Sequence, residues 1–295
     1  MRRAPGKGLG APGGRDGNMA MSAANLSINT DLARRILVNF VRDEVRRTGL
    51  ERLVVGLSGG IDSALSCLLA AEALGPENVL AVRMPYASSS PESLAHAALV
   101  VQQTGVECET FEITGMVQPL LATLPPEANK RAGNIMARTR MIVLYDRSAA
   151  TQALVLGTGN KTEILLGYTT LYGDSASALN PLGDLYKTQV RQLAAAMGMP
   201  QPIMDKAPSA DLWLGQTDEA ELGFTYAQVD QLLYLLIDQR YSLDEAVGAG
   251  FERPLVERVT TRVRQNQFKR MLPVVAKLSN RTVGYDFLYG RDWGT

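Results

Sequence analysis

Hydrophobic residues recur along this chain in two patterns, as short apolar or alternating runs and as longer stretches with helical spacing. The first pattern predicts strands at residues 53–57, 79–84, 107–113 and 153–157. The second predicts helices at residues 31–49, 64–74, 91–103, 128–150, 187–197, 226–239, 242–247 and 255–271. Strands that alternate with helices favour an α/β fold, in which a parallel sheet carries helices on both faces.

Other stretches have no regular hydrophobic period. Residues 167–184 are rich in Gly, Ser, Asn and Tyr, and they are too long to be a simple connection. Residues 207–223 are polar, and we expect them to form a mobile lid. Residues 1–24 are rich in Gly, Ala, Arg and Pro, which predicts a flexible tail. Residues 25–295 are then expected to form a single domain.

The most informative segment joins the first predicted strand to the helix after it. It reads Gly56-Leu57-Ser58-Gly59-Gly60-Ile61-Asp62-Ser63. A glycine turn at this point directs backbone N–H groups and the positive end of the helix dipole at one place. The hydroxyls of Ser58 and Ser63 add hydrogen-bond donors, and ligands of parallel sheets bind at this end of the strands. The segment therefore predicts a phosphate-binding site.

This turn is not a Walker A loop, because it lacks the Gly-Lys-Ser/Thr ending. It carries Asp62 instead. A carboxylate beside phosphate groups is explained if a Mg²⁺ ion lies between them. The alternative is that Asp62 only caps the following helix.

A second turn of this kind follows the strand at residues 153–157. Thr158 offers a hydroxyl there, and Glu163 lies in the first turn of the next helix. Glu163 would be a second carboxylate for Mg²⁺, although Thr followed by Glu also suits a helix start.

Lys187 opens a later predicted helix. A lysine there opposes the helix dipole unless an anion such as pyrophosphate lies beside it; the alternative is a solvent-exposed side chain. Ser209, taken alone, suits a turn or a helix cap.

Arg138 and Arg140 are either solvated charges or a clamp for the phosphates of a dinucleotide, which a guanidinium fork binds well.

Charge and composition exclude several classes of protein. Lys plus Arg equals Asp plus Glu at 30 each, so no net field favours nucleic acid or an anionic membrane. No run reaches transmembrane length, and no secretory signal is visible. Cys67 and Cys108 are expected to be core residues in a reducing compartment, which predicts a cytoplasmic location. His96, the single histidine, is expected on a helix surface.

Taken in order, these motifs resemble those of the NAD synthetase family in its ammonia-dependent, single-domain form, within the ATP pyrophosphatase (PP-loop) superfamily. The resemblance runs from about residue 30 to about residue 290. Beyond the glycine turn it rests on residues 83–86, 133–141, 156–163, 172–174, 180–189, 208–212 and 217–223.

The resemblance implies a fold and a reaction. The fold would be the three-layered adenine nucleotide α-hydrolase type. The reaction would be the Mg²⁺-dependent amidation of deamido-NAD (nicotinic acid adenine dinucleotide) by ammonia, with ATP as co-substrate. The nicotinate carboxylate would attack the α-phosphorus of ATP and release pyrophosphate, and ammonia would then displace AMP from the adenylate.

The resemblance also implies the residues of the site. The ATP-binding residues would be Gly56, Leu57, Ser58, Gly59, Gly60, Ile61, Asp62, Ser63, Arg83, Thr158, Lys187 and Ser209. The deamido-NAD-binding residues would be Arg138, Asp174 and Lys269. The Mg²⁺ ligands would be Asp62 and Glu163, and the catalytic residues Asp62 and Lys187.

The chain departs from the family pattern in its dinucleotide half. Leu171 stands where many members have a lysine, and Ala178 stands where they have an aspartate. A His-Lys pair near the C-terminus is replaced by Phe268-Lys269. We therefore expect deamido-NAD to be bound differently here.

The alternatives are another PP-loop enzyme, such as a GMP synthetase or a tRNA-modifying ligase, and a module that senses nucleotides without turnover. Sulfur-transferring members usually need reactive cysteines, and tRNA readers need basic surfaces. A sensing module would not need Glu163 beside Asp62.

The resemblance further implies a homodimer and the use of free ammonia, so that glutamine would serve only through a separate glutaminase subunit.

Overall fold

A parallel four-stranded sheet forms the centre of the structure, a computed structural model that describes residues 26–125, 127–209 and 217–287. The strands are Arg52–Gly56 (β1), Val79–Arg83 (β2), Glu107–Thr110 (β3) and Ala153–Leu156 (β4). Their order across the sheet is β3-β2-β1-β4, and each neighbouring pair is parallel. The predicted parallel sheet is confirmed, although β3 ends at Thr110 rather than at residue 113.

Helices connect the strands and then continue to the C-terminal part. In chain order the helices are Thr30–Arg46 (α1), Ile61–Leu74 (α2), Pro91–Thr104 (α3), Thr114–Leu121 (α4), Asn129–Thr151 (α5), Lys161–Leu166 (α6), Lys187–Ala196 (α7), Gln201–Asp205 (α8), Asp218–Leu222 (α9), Tyr226–Leu233 (α10), Leu243–Gly248 (α11) and Arg253–Gln265 (α12). Single turns of other helix types are Pro76–Asn78, Tyr234–Asp238 and Gln267–Arg270.

Side chains of the strands alternate between two hydrophobic cores. Leu53 and Val55 face a core that includes residues of α1, α2, α3 and α7. Val54, Leu80 and Val82 face the opposite core, which includes residues of α4 and α5. The sheet is therefore the middle of three layers. Because both faces are covered, β1 and β2 appear in the sequence as continuous apolar runs.

A third hydrophobic core lies among the C-terminal helices. Leu166 of α6 and Tyr186, which precedes α7, pack there against residues of α9, α10, α11 and α12. The first turns of α6 and α7 carry Glu163 and Lys187. This core therefore supports two of the predicted site residues.

Several helix boundaries differ from the prediction. The predicted helix at residues 255–271 is wrong at both ends, since α12 starts at Arg253 and gives way at Asn266 to the short turn Gln267–Arg270. The hydrophobic pattern does not predict α4, which contains Pro119. It also misses α8 and α9, because five-residue helices are too short to show a period.

The helix after the glycine turn begins earlier than predicted. α2 starts at Ile61, so Asp62 and Ser63 lie in its first turn. Its cap residue is Gly60, which makes no side-chain hydrogen bond. The alternative that Asp62 caps this helix is therefore wrong.

The surface position expected for His96 is also wrong. His96 is 5% exposed, because it lies on the stripe of α3 that includes Ser93, Ala97 and Val100 and faces the sheet. This i, i+3, i+4, i+7 spacing is readable in the sequence. The expectation for the thiols holds in part: Cys67 is fully buried, whereas Cys108 is half-buried, and both are free.

The predicted lid at residues 207–223 falls partly outside the described residues. In its described last part, residues 218–222 form α9 rather than a loop. Leu222 packs in the third core, and Asp218 is 4% exposed. The predicted tail, residues 1–24, lies outside the described residues. In the parts of the chain that are described, no helix has both the length and the hydropathy to cross a bilayer.

Candidate active site

The glycine turn after β1 packs directly against the start of α3. Gly59 has a φ of 78°, and a Cβ atom there would collide with the carbonyl oxygen of Ser93. Both the backbone conformation and the space therefore require glycine. The hydroxyls of Ser58 and Ser63 lie 3.0 Å apart, and Ser58 Oγ accepts from the N–H of Gly60 at 3.3 Å. The two hydroxyls are thus held at the N-terminus of α2.

A cavity of about 860 Å³ opens at the carboxyl ends of β1, β2 and β4. Its size is that of a site for a small molecule or cofactor. Every predicted site residue except Gly59 lines it. These are Gly56, Leu57, Ser58, Gly60, Ile61, Asp62, Ser63, Arg83, Arg138, Thr158, Glu163, Asp174, Lys187, Ser209 and Lys269. The cavity is at the end of the sheet where ligands of parallel α/β folds bind.

Three charged side chains meet in this cavity. Lys187 Nζ makes an ion pair with the carboxylate of Asp62 and lies 3.6 Å from Glu163 Oε1. The Lys187 side chain is 4% exposed. The alternative of a solvent-exposed lysine is therefore wrong, because carboxylates surround the ammonium in place of water.

Burial and neighbouring charges act on these groups in opposite directions. Burial alone would lower the pKa of Lys187, but the carboxylates of Asp62 and Glu163 outweigh it and raise the pKa. Burial and the nearby Asp62 carboxylate raise the pKa of Glu163 to about 8, although the ammonium of Lys187 acts against them. Lys187 is thus a permanent cation, for which two carboxyl groups compete.

This cluster fits a divalent cation that arrives with a nucleotide. When both carboxyl groups are ionised, one ammonium does not neutralise them. Mg²⁺ usually binds one or two carboxylates and completes its shell with water and phosphate oxygens. Within the described ranges, no group of three or more His, Cys, Asp or Glu side chains is placed to hold a metal by itself. Asp62 and Glu163 therefore suit Mg²⁺ bound to phosphate.

Asn160 links the two carboxylates, a role that the sequence analysis missed. Its side-chain oxygen accepts from the N–H of Glu163 at 3.0 Å, and its own N–H donates to Glu163 Oε2 at 3.2 Å. Its amide nitrogen donates to Asp62 Oδ1 at 3.0 Å. An Asn three residues before a Glu is a helix-start signal, which could have identified it as the cap of α6.

Asp230 fixes the backbone around Lys187. It is fully buried and accepts from the Thr162 hydroxyl at 2.6 Å and from the N–H of Thr188 at 2.8 Å. Thr162 Oγ1 in turn accepts from the N–H of Lys187 at 3.0 Å. The first turns of α6 and α7 are thus joined through one buried carboxylate. The sequence gives no signal for this role, because Asp230 lies 43 residues beyond Lys187 in a separate helix.

A polar network lies next to Lys187. Asp218 accepts from the Tyr226 hydroxyl at 3.0 Å and from the Tyr168 hydroxyl at 3.2 Å. Burial raises the pKa of Asp218. Lys187 Nζ lies 5.3 Å from the centre of the Tyr226 ring, within the range of a cation–π contact. The sequence analysis assigned no role to these residues.

The three predicted dinucleotide-binding residues hold one loop of the cavity wall. Arg138 Nε donates to the carbonyl oxygen of Leu171 at 3.2 Å. Lys269 Nζ donates to two other carbonyl oxygens of this loop at 2.6 and 2.7 Å. Asp174 accepts from the N–H of Thr170 at 2.7 Å. Leu171 also lines the cavity, so an apolar side chain stands there in place of the lysine that many members of the resembled family have.

The fold and the site together define a class. A parallel α/β sheet, a glycine turn without the Walker lysine, and a buried lysine between two carboxylates are the features of a PP-loop enzyme that acts on ATP. The predicted fold class is confirmed by solved structures with the same fold.

Comparison with known proteins identifies the family. The family described as NAD synthase matches residues 33–273. The NH(3)-dependent NAD(+) synthetase of Trichlorobacter lovleyi is 58% identical over 271 residues, which cover 92% of this chain and 99% of the relative. The chain belongs to the NAD synthase family, whose members are ligases.

Solved structures agree. The NMN synthetase of Francisella tularensis has a TM-score of 0.75 at 31% identity and covers 85% of this chain and 99% of its own. The NH3-dependent NAD synthetase of Campylobacter jejuni, in complex with the nitrate ion, has a TM-score of 0.72 at 31% identity and covers 85% of this chain and 100% of its own.

Proposed function

We propose that this chain forms NAD from deamido-NAD by ATP-dependent amidation with ammonia. The observation that carries the proposal is the buried cluster of Asp62, Glu163 and Lys187 beside the glycine turn. This cluster suits the binding of a triphosphate with its metal, and membership of the NAD synthase family supplies the acceptor.

In the first step the nicotinate carboxylate attacks the α-phosphorus of ATP, and pyrophosphate leaves. The first turn of α2 and the hydroxyls of Ser58 and Ser63 bind phosphate oxygens, because N–H groups at a helix N-terminus stabilise anions. Lys187 places a fixed positive charge beside the phosphates. Asp62 and Glu163 would hold Mg²⁺, which would supply further charge neutralisation on the phosphate oxygens.

In the second step ammonia attacks the carbonyl carbon of the adenylate. A C–N bond forms, the C–O bond to the AMP phosphate breaks, and the nitrogen loses a proton. No side chain needs to become covalently attached to substrate.

The test is an assay of the purified chain with Mg-ATP and deamido-NAD, with and without ammonium. NAD, AMP and pyrophosphate are measured; NAD and AMP are expected only with ammonium, whereas the first step should also release pyrophosphate without it, about once per site. ATP binding without AMP release would favour a nucleotide-sensing module. Amidation of xanthosine monophosphate in place of deamido-NAD would favour a GMP synthetase.

A second candidate acceptor is nicotinate mononucleotide. Two observations favour it. Leu171 and Ala178 are apolar where many family members have a lysine and an aspartate, and the chain is similar in structure to an NMN synthetase. The ratio of kcat/KM for deamido-NAD to kcat/KM for nicotinate mononucleotide distinguishes the two. We expect the dinucleotide to be preferred, in keeping with the relative that is 58% identical.

We also propose that the chain acts as a homodimer in the cytoplasm. Apolar side chains are exposed on the neighbouring helices α4 and α5, namely Met116, Leu120, Ile142 and Tyr145. Two free thiols are in keeping with a reducing compartment. Light scattering after size-exclusion chromatography tests the dimer, and Ile142→Glu is expected to shift it toward monomer.

A further inference from the structure

Lys206 brings another cation to the glycine turn. It follows α8 directly and lines the cavity. Its Nζ donates to the hydroxyl of Ser93 at 2.8 Å. Ser93 is the residue whose carbonyl oxygen excludes a side chain at Gly59. The Lys206 ammonium therefore lies against the residue that packs on the phosphate-binding turn.

The electrostatic surroundings of Lys206 differ from those of Lys187. Lys187 pairs with two carboxylates, whereas the hydrogen bond of Lys206 within the described ranges is to a neutral hydroxyl. No carboxylate in those ranges makes an ion pair with Lys206. A half-buried ammonium with a neutral partner gains most from an anion, since charge-assisted hydrogen bonds are about twice as strong as neutral ones.

The reaction supplies such an anion. The cluster of one ammonium and two carboxylates cannot by itself balance the charge of a triphosphate, even with Mg²⁺ present. Phosphates bound at the first turn of α2 would have Ser93 and Lys206 on one side, because Ser93 packs against Gly59 and Lys206 Nζ lies 2.8 Å from the Ser93 hydroxyl. Arg83 also lines the cavity, so a further cation is available on this wall.

We propose that Lys206 is a further catalytic residue, which contacts the outer phosphates of ATP and stabilises the departing pyrophosphate. The bond from the α-phosphorus to the bridging oxygen breaks as the bond from the nicotinate oxygen forms, and the electron pair leaves on pyrophosphate. Lys206 transfers no proton and acts by its charge. This inference rests on the proposed cleavage of ATP.

The experiment compares Lys206→Met and Lys206→Arg with a matched control, Lys277→Met. Lys277 is exposed, pairs with Asp286 and does not line the cavity, so its loss changes the net charge equally. Calorimetry measures the binding of Mg-pyrophosphate, which needs no acceptor substrate. Lys206→Met is expected to weaken this binding by about tenfold or more, as for the loss of one hydrogen bond to a charged group. Lys206→Arg is expected to restore most of the affinity.

A second variant separates catalysis from structure. If Lys206 only fastened α8 to α3 through Ser93, Ser93→Ala would weaken pyrophosphate binding as much as Lys206→Met does. We expect Ser93→Ala to keep the affinity within about threefold, because the charge remains. In steady-state assays Lys206→Met is expected to lower kcat/KM for ATP and leave KM for deamido-NAD unchanged.

The outcomes distinguish this inference from the proposed function. Equal pyrophosphate affinity in wild type and Lys206→Met, or no binding to the wild type, would overturn the role of Lys206 even if NAD is formed. Weakened binding in Lys206→Met together with no product from deamido-NAD would support the role of Lys206 while rejecting the proposed acceptor.

Discussion

Lys187 makes its ion pair with Asp62, which lies 125 residues earlier in the sequence, where the first turn of α7 faces the first turn of α2. Glu163, at the start of α6, completes the cluster at 3.6 Å from Lys187 Nζ. One ammonium thus serves two carboxylates. Removal of a carboxylate leaves a balanced pair, whereas removal of the lysine leaves two carboxyl groups without a cation in a largely buried place. The two kinds of substitution should therefore differ in their effect on stability.

The first prediction concerns the carboxylates. Asp62→Asn and Glu163→Gln should abolish adenylation, because each removes an oxygen ligand of Mg²⁺ where phosphate charge must be neutralised. Both variants should stay folded, with a change of about 1 kcal/mol or less in the free energy of unfolding, since Lys187 keeps one carboxylate partner. Pyrophosphate release with deamido-NAD measures the activity, and urea denaturation measures the stability.

Asp244→Asn is a suitable control, because Asp244 is exposed and pairs with Arg253 outside the cavity. It should behave as wild type in both measurements. Full adenylation by Asp62→Asn or by Glu163→Gln at ordinary Mg²⁺ would remove that residue from the metal site.

The second prediction concerns Lys187. Lys187→Met should lose about 2–4 kcal/mol of transition-state stabilisation, as other preorganised charge donors do. Unlike the carboxylate variants, it should also lose about 3–5 kcal/mol of stability, because it leaves uncompensated buried charge. The quantities to measure are kcat/KM for ATP and the free energy of unfolding.

The double variant Lys187→Met/Glu163→Gln should recover part of the stability that Lys187→Met loses, because one carboxyl group fewer lacks a cation. It should not restore activity. A change in kcat/KM below about threefold would show that Lys187 does not act on the phosphates.

The sequence predicts the strands and the glycine turn of this site better than the contacts between its polar side chains. The strands and the glycine turn could be predicted because β1 is a short apolar run and its turn is local. Asn160 and Asp230 could not be assigned their roles, since each depends on which helices meet in space. The surface position expected for His96 is wrong, although the spacing of the buried residues of α3 predicts its burial. The pattern of apolar residues does not predict contacts between polar side chains that are far apart in the sequence.

The third prediction separates the two reasons for glycine at position 59. Gly59 and Gly49 have nearly the same φ, 78° and 75°, but a Cβ at Gly49 would meet nothing within 4 Å. Gly49→Ala should therefore cost only the strain of a left-handed residue, about 1–2 kcal/mol. Gly59→Ala should cost about 1–3 kcal/mol more, because the new methyl group collides with the carbonyl of Ser93.

ATP binding should also differ between these two variants. Gly49→Ala should bind ATP as wild type does, and Gly59→Ala should bind it weakly, since the turn and α3 must move apart. Denaturation and fluorescent-nucleotide titration measure the two effects. Equal stability and equal ATP affinity in both variants would mean that the close packing on Ser93 has no role in the site.

The fourth prediction concerns Asp230 as a positioning residue. Asp230→Asn should lower kcat while changing KM for ATP little, because it loosens the backbone at Thr162 and Thr188 without removing a phosphate contact. Glu257→Gln, an exposed carboxylate on α12, is the control. A rise in KM alone would contradict this role.

The last prediction concerns the source of nitrogen. Release of ammonia from glutamine usually needs a cysteine nucleophile, which acts as the thiolate. Cys67 is fully buried, and burial raises its pKa to about 12. Burial also raises the pKa of Cys108, although Arg83 acts against it. Neither thiol is activated near neutral pH, so iodoacetamide at pH 8 should leave Cys67 of the folded protein unmodified.

The purified chain should therefore form NAD with ammonium salts and not with glutamine. Cys67→Ala and Cys108→Ala should leave the ammonium-dependent rate within about twofold, as for substitutions away from a site. The rate at fixed total ammonium should rise with pH, because only NH₃ has the lone pair that attacks the adenylate. Addition of a separate glutaminase should make glutamine effective by supplying ammonia. This prediction would be contradicted if the chain alone formed NAD from glutamine after contaminating ammonia had been removed enzymatically. If Cys108→Ala then lost the glutamine-dependent activity, the half-buried thiol of Cys108 would be identified as the nucleophile.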